Sequence, residues 1–461
     1  MTSPIRHITV IPGDGIGQEV VDAALQILKA ASAPINWTIC HAGEKVFKSG
    51  IETGVPQETL DSIKETKVVL KGPLTTPVGY GERSANVFLR KAFGLFANIR
   101  PVKQYPNIPS LFKNMPIDLV VVRENIEDLY AGIEYYHQPG IAQSIKLISE
   151  YGCNTINTFA FEYAKQTNRK SLHCATKANI LKTTEGMMKR SFETLSEQYS
   201  QVEAKHIIID NCAHQLVINP SQFEMIVTTN MNGDIISDLT SGLVGGLGIA
   251  PSANIGREHA MFEAVHGAAP DIAGQDKANP TAMILSAIMM CRYIGLEKLA
   301  DTIENALALT FQQNKMTGDL TQDQPLSTNE FTKSVIENLG DRAVNFQPSS
   351  FKSIQMPQIK KEKVNRGSCH GVDIIIISDT PYLNLKDQLD RIAGDYSFSP
   401  VKLSNRGKLI ESEETEQIIP QWFCRFSTKE NQEITNNRIT ELLDEVSKSY
   451  HWVQCEKLFN F

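Results

Sequence analysis

The chain has 461 residues, more than one ordinary domain needs, so two or three cores are expected. It is 41% hydrophobic and 21% charged, with a net charge of -7 and a pI near 5.9. That balance is ordinary for a globular protein and gives no general affinity for nucleic acid or anionic membrane. The cysteines at positions 40, 153, 174, 212, 291, 369, 424 and 455 form no CxxC pair, which speaks for reduced thiols rather than a disulfide frame or zinc site. No run has the length of a membrane-spanning helix, and the first residues lead into an apolar strand with no signal-peptide layout, so a cytoplasmic protein is expected.

Short β-rich runs alternate with helical stretches along the chain. Ile8 to Ile11, Val68 to Leu70, Leu119 to Val122, Ile207 to Ile209 and Ile226 to Thr229 read as strands, and Gly17 to Ala31 and Ile180 to Tyr199 as helices. This is an α/β pattern. The first strand ends in Pro12-Gly13-Asp14-Gly15-Ile16-Gly17. A dinucleotide fingerprint would need glycine where Gln18 stands, and an acidic residue closing the next strand, Trp37 to Cys40. The motif is therefore read as a tight strand-to-helix turn that needs glycine for its backbone angles.

Around Asp341 to Lys363 the pattern lapses into prolines, serines and KKEK, and residues 345–370 read as a linker. Beyond it come strand Val372 to Ser378, helix Leu383 to Ile392, strand Ser397 to Leu403, a break through ESEETE, strand Trp422 to Phe426, helix Thr435 to Ser449 and strand Trp452 to Leu458. The order βαββαβ predicts a ferredoxin-like α+β domain over 371–461. RNA-recognition domains share that order, but Trp422 to Phe426 lacks their glycine pattern and the segment is more acidic than basic, which argues against RNA.

Two clusters carry chemistry. In Arg83-Ser84-Ala85-Asn86-Val87-Phe88-Leu89-Arg90 a serine, an asparagine and an arginine recur at spacings that share one face of a helix or tight turn. Arg100 and Arg123 each follow an apolar run, and guanidinium groups converging from three places suit a substrate with several carboxylates. Asp234 and Asp238 stand four apart, on one face if their segment is helical, with Asp210 after a strand as the third member. Carboxylates without histidine or cysteine favour Mg²⁺ or Mn²⁺.

Lys71-Gly-Pro-Leu-Thr-Thr-Pro-Val-Gly, the SxNxxLR segment, Asn98-Ile-Arg-Pro-Val, Arg123-Glu-Asn-Ile-Glu-Asp-Leu-Tyr130-Ala-Gly, Thr176-Lys177-Ala-Asn-Ile, Asn232-Gly-Asp-Ile-Ile-Ser-Asp238 and Ala264-Val-His-Gly267 stand in this order along the chain. Together they resemble the isocitrate and isopropylmalate dehydrogenase family, over about Ile8 to Leu339. The resemblance implies a catalytic domain over 1–344, with a large subdomain from 1–96 and 245–344 and a small one from 97–244 that includes a dimer clasp over 128–149. It implies NAD-dependent oxidative decarboxylation of isocitrate to 2-oxoglutarate, with a divalent metal to stabilise the enolate left by carbon dioxide. Ser84, Asn86 and Thr76 would meet the substrate with Arg90, Arg100 and Arg123, and Asp210, Asp234 and Asp238 would hold the metal. Tyr130 and Lys177 would move protons, the lysine coming from a partner subunit, so a homo-oligomer of at least a dimer and possibly a tetramer follows. Lys71, His266, Gly267, Ala269, Asp271, Ile272 and Asn279 would line the cofactor site. NADP-preferring members carry lysine and tyrosine where this chain has Asp271 and Ile272, and a carboxylate suits a free ribose hydroxyl, which implies NAD. The C-terminal domain marks a subgroup and implies subunit contacts. Homoisocitrate or isopropylmalate oxidation, or a regulatory subunit without activity, are the alternatives.

Overall fold

The computed structural model describes residues 5–76, 84–112, 116–351, 353–354, 356–359, 367–411 and 418–460. Arg83, most of ESEETE and the KKEK run lie outside these residues. The chain divides into two compact units, residues 1–135 with 143–360, and 136–142 with 361–461.

A ten-stranded sheet forms the centre of the first unit, in the order Ile35–Ile39, Arg6–Ile11, Val68–Lys71, Ala260–Ala264, Pro251–Ile255, Ala97–Lys103, Asp118–Glu124, Met225–Thr228, Ser171–Thr176 and Glu203–Ile208. The first four strands run parallel to one another, as do the last four. The pairings from Ala260–Ala264 through to Asp118–Glu124 are antiparallel. Two parallel α/β halves thus join through an antiparallel middle, and the side chains that follow come from that junction.

Helices cover the sheet with faces the sequence makes apolar. Helix Gly17–Ala30 buries Val20, Val21, Ala24, Ile27 and Leu28, the three-and-four spacing of one stripe. Helix Thr281–Tyr293 is buried from Thr281 to Arg292 on every side, because Leu285, Ile288 and Met289 sit among small residues and leave no polar face. Ser327 and Glu330 close a capping box on helix Thr328–Glu337.

Three boundaries differ from the sequence reading. The helix expected from Ile180 starts at Thr184, because the amides of Ile180 and Leu181 both close a turn onto Lys177 O. The start of the expected linker is packed: Phe346, Phe351, Ile354 and Met356 join the main core, and the Ser349 hydroxyl and amide bond to buried Glu304. In the second unit the strand expected from Ser397 begins at Lys402, since Ser397 takes a positive φ of 61° and the Val401 amide turns to Asp390.

The second unit carries a five-stranded antiparallel sheet in the order Lys408–Leu409, Lys402–Asn405, Gln421–Ser427, Ser368–Ile377 and His451–Asn460. Apart from the short Lys408–Leu409 addition this is the ferredoxin-like arrangement. Its core joins Val372, Ile374, Ile376, Trp422, Cys424 and Phe426 of the sheet to Leu385 and Leu389 of helix Tyr382–Asp395 and Ile439, Leu442 and Val446 of helix Asn436–Ser447. His137 Nδ1, in the hairpin tip that belongs to this unit, stands 2.7 Å from Gln421 Nε2.

Candidate active site

The antiparallel junction carries a row of polar residues through an apolar sheet. Arg123 stands opposite Asn98, Asn98 opposite Asn254, and Glu263 opposite Lys71. Opposed residues share a face, as do residues two apart along a strand, so Lys71, Glu263, Asn254, Asn98, Arg100 and Arg123 form one surface. None of the six is more than 6% exposed.

Helix Asn230–Val244 brings the acidic groups to this surface. Arg123 pairs with Asp234 Oδ1 and donates from Nε and Nη2 to Asn230 Oδ1 at 3.0 and 2.8 Å. Arg100 Nη2 lies 3.2 Å from the same Asp234 oxygen, and its Nη1 lies 3.3 Å from Asp238 Oδ1 and 2.5 Å from Ser237 Oγ. A glycine inside a helix ordinarily weakens it, but a Cβ on Gly233 would come within 2.6 Å of the Arg123 side chain. Gly233 therefore lets the helix close on the arginine.

Tyr130 sits on the short turn Leu129–Ala131, which the Asp128 carboxylate caps. Its hydroxyl donates to Asp234 Oδ2 at 2.5 Å, and the Arg123 guanidinium lies 4.8 Å from its ring centre. Ser84 immediately precedes helix Ala85–Ala92 and accepts from the Thr76 hydroxyl at 3.0 Å, so that among the described residues its own proton is free to donate. Asn86 donates to Leu74 O at 3.3 Å and Arg90 Nη2 to Glu263 Oε1 at 2.9 Å. Asn86 Oδ1 and Arg90 Nε are buried without a partner among the described residues.

Electrostatics reflect this crowding of cations. Burial, with the charges of Arg100 and Arg90 added, pulls Arg123 down to about 10. Burial works against the ionised Asp234, but Arg123 and Arg100 outweigh it and hold that carboxyl below its usual range. Asp238 moves the other way, pushed up by burial and by the Asp234 charge against the pull of Arg100. Burial and the bond to Asp234 raise the Tyr130 phenol, so it keeps its proton near neutrality.

Lys177 and Asp210 stand elsewhere. Lys177 follows strand Ser171–Thr176, and its Nζ lies 2.7 Å from Asp210 Oδ1 in the first turn of helix Ile209–Ile218. Among the described residues no group of three histidine, cysteine or acidic side chains is gathered to hold a metal. The expected trio is thus split within one chain, with Asp234 and Asp238 together and Asp210 committed to Lys177. Chemically the donors suit a hard cation: two carboxylates on one helix face raise each other's need for positive charge, and no soft ligand stands with them.

The glycine turn has its own role. A Cβ on Gly15 would come within 1.9 Å of Ala268 O, and one on Gly13 within 2.2 Å of Pro73 O. The Ile16 amide bonds to Ala268 O at 2.8 Å, and Asp14 accepts from the amides of Glu44 and Thr75. The turn therefore clamps the loop of Thr75 and Thr76 and the loop that follows His266. In the latter, His266 Nδ1 meets Gly267 O at 3.0 Å, Nε2 is buried without a partner among the described residues, and burial keeps the ring neutral. Ala269 takes a left-handed backbone before the turn Pro270–Ile272, which exposes Asp271 and half-buries Ile272. Asn279 donates to Asp319 and accepts from the Thr281 amide, capping the buried helix. Lys71, expected at the cofactor site, is fully buried against Glu263 Oε2 at 2.6 Å and Gly72 O at 2.8 Å.

Several polar residues here are not among the site residues expected from the sequence, although Asn98, Asp128 and Ser237 lie inside its motifs. Besides Asn98, Asn230, Ser237, Asn254 and Glu263, the half-buried Lys146 joins two buried carboxylates, Asp128 at 2.5 Å and Glu185 at 2.8 Å. Glu185 also accepts from the Lys177 amide and the Thr229 hydroxyl, so it ties the lysine's backbone to the start of the aspartate helix.

Fold and site together define an α/β protein with buried arginines set beside paired aspartates at the junction of its two parallel halves. The isocitrate/isopropylmalate dehydrogenase model matches residues 7–335 and a bacterial isocitrate dehydrogenase C-terminal domain model matches 368–461, and the chain belongs to the isocitrate/isopropylmalate dehydrogenase family. It is 49% identical to an NADP isocitrate dehydrogenase of Thermus thermophilus, over 99% of this chain and 94% of that one. It is 45% identical to a mitochondrial NAD isocitrate dehydrogenase regulatory subunit of Dictyostelium discoideum, over 73% and 94%. A solved Thermus thermophilus structure at 49% identity matches with a TM-score of 0.95 over 99% of this chain and 94% of that one. No helix among the described residues is long and apolar enough to cross a membrane.

Proposed function

We propose that the chain oxidises isocitrate with NAD, in the presence of Mg²⁺ or Mn²⁺, and releases 2-oxoglutarate and carbon dioxide. The observation that carries this reading is the convergence of Arg90, Arg100 and Arg123 beside the Asp234 and Asp238 face, with Ser84 free to donate. Three guanidinium groups gathered at one place favour a ligand with several carboxylates. Bound NAD would take the hydride from the hydroxyl carbon, and a bound divalent cation would stabilise the charge that appears as carbon dioxide leaves.

The chain's own groups do the rest. The arginines orient the substrate, and Ser84 and Asn86 meet the carboxylate that isopropylmalate lacks. Tyr130, kept protonated, delivers a proton to the enol carbon. Lys177 accepts the hydroxyl proton in the site of a second copy, to which it brings Asp210 as third metal ligand, because both stand apart from Asp234 in their own chain. A homodimer is the smallest assembly that completes a site.

The relatives divide over cofactor, by their names, between NADP and NAD. The exposed Asp271 supports NAD, since among the described residues no hydrogen bond or ion pair engages its carboxylate, and a 2′-phosphate there would meet a bare negative charge. Exchanging Asp271→Lys together with Ile272→Tyr is expected to shift the NAD to NADP ratio of kcat/KM toward NADP by about tenfold or more, roughly 1.4 kcal/mol. An unchanged ratio rejects the loop assignment.

Initial rates with isocitrate, homoisocitrate and isopropylmalate, each with NAD and with NADP, test the whole reading. Isocitrate with NAD should be fastest. Faster turnover of either other acid overturns the substrate. No turnover with any of them favours the regulatory role for which the Dictyostelium relative is named.

A further inference from the structure

Between two of the three substrate arginines, Arg100 and Arg90, runs an unbroken chain of buried and half-buried hydrogen bonds. Arg100 Nε donates to Asn98 Oδ1 at 2.7 Å, and Asn98 Nδ2 donates to Asn254 Oδ1 at 2.9 Å. Asn254 Nδ2 donates to Glu263 Oε1 at 2.8 Å, and the same oxygen accepts Arg90 Nη2 at 2.9 Å. Asn254 uses every valence it has, since Oδ1 also accepts Asn125 Nδ2 at 3.0 Å and Nδ2 also donates to Met261 O at 3.2 Å. It lies on the middle strand of the junction, opposite Asn98 on one side and Met261 on the other, and is wholly buried.

We infer that Asn254 is a positioning residue for the substrate: through Asn98 and Glu263 it fixes the separation of Arg100 and Arg90, and so tunes the site to the spacing of carboxylates in a tricarboxylate. This rests on the proposed function. Asn254 touches no ligand position itself, and acts because its amide continues the polarity that Asn98 begins, presenting an acceptor on the Arg100 side and a donor directly to Glu263. An aliphatic group would carry neither signal. A carboxylate would keep the acceptor and the shape but replace the donor facing Glu263 with a second acceptor.

That asymmetry supplies the test. The variant Asn254→Asp is isosteric and places a carboxylate against Glu263 Oε1. The charged and titratable groups facing the new carboxylate are Glu263 and, beyond it, Lys71 and Arg90, with Arg100 behind Asn98; Asn98 and Asn125 are neutral. Two carboxyl groups at hydrogen-bond distance share one proton at low pH and repel once it leaves. At low pH the shared proton restores the bridge, so the KM for isocitrate is expected to stay within about twofold of native. As pH rises and the proton is lost, KM is expected to climb by about tenfold or more relative to native, with kcat changing less. A role confined to packing would alter stability without giving KM a pH dependence that the native protein lacks.

Asn254→Ser, which keeps a hydroxyl able to bond in both directions, guards against misfolding of the first variant and should give an intermediate KM at every pH. Native rates with isocitrate are measured first. A native protein inactive on isocitrate rejects the functional reading on which the inference rests. An active native protein whose Asn254→Asp variant follows the native KM across the pH range, or whose two folded variants change kcat and leave KM alone, rejects the inference. If Asn254→Asp does not fold, a native KM in Asn254→Ser rejects it equally.

Discussion

Replacing Lys177 with methionine should lower isocitrate turnover by about a thousandfold or more while isocitrate and metal binding stay near native, because a general base is worth on the order of 10² to 10⁴ in rate and contributes little to holding the substrate. Turnover within about tenfold of native removes Lys177 from the proton path. The geometry allows a sharper form. Tyr130 bonds to Asp234, whereas Lys177 pairs with Asp210 in a separate place in the same chain. If a second copy lends its Lys177, then Lys177→Met and Tyr130→Phe disable opposite halves of each site. Mixed dimers of the two inactive variants contain one site with both native groups, so random reassociation should restore roughly a quarter of the native sites. Sites built within one chain would give no restoration, since neither chain carries both groups.

The same split shows what the sequence could and could not convey. The α/β alternation was legible because each strand is a short apolar run and each helix has its stripe, and the C-terminal domain was legible from the order of its elements. Arg100 and Arg123 were legible as charges set into apolar strands. Asn98, Asn254 and Glu263 were not, because a buried polar residue on a strand gains meaning only from its neighbours, and their adjacency comes from an antiparallel junction that joins strands more than 150 residues apart in sequence. Lys71 shows the converse. It lies in a motif that the family resemblance attaches to the cofactor, and the buried carboxylate that pairs with it on the next strand comes from the register of Lys71 with Glu263, which the sequence does not display. Gly233 carried a signal that passed unused: glycine inside a helix asks what approaches it.

That Lys71 register leads to the second large expectation, that Glu263→Gln destabilises the protein by about 3–5 kcal/mol near neutral pH, the cost of leaving a buried charge unpaired. Glu263 accepts from Lys71, Arg90 and Asn254. Burial works against its charge, but Lys71 and Arg90 outweigh it and hold the carboxyl below the usual carboxylate range. A carboxyl depressed in the folded state stabilises fully above its unfolded value of about 4.3, and that contribution is lost as pH falls toward the folded value. The native protein should therefore lose this part of its stability only in acid. In Glu263→Gln the burden moves to Lys71, which burial already pulls downward and which then has Gly72 O and a neutral amide oxygen to bond but no opposite charge at position 263. A lysine depressed in the folded state costs stability below its unfolded value, so the gap between variant and native should narrow as pH rises toward 10. Denaturant unfolding at pH 4, pH 7 and pH 9 reads both signs, and a variant as stable as native at pH 7 would falsify the pairing. Exchanging the pair together, Lys71→Met with Glu263→Leu, should recover most of the stability, since well-packed apolar residues commonly replace a buried ion pair without loss. It should not recover isocitrate affinity, because Arg90 then has no carboxylate to hold it and Asn254 has no acceptor to reach. Stability regained without affinity would mean that the buried charges are kept for the placement of Arg90 rather than for the fold.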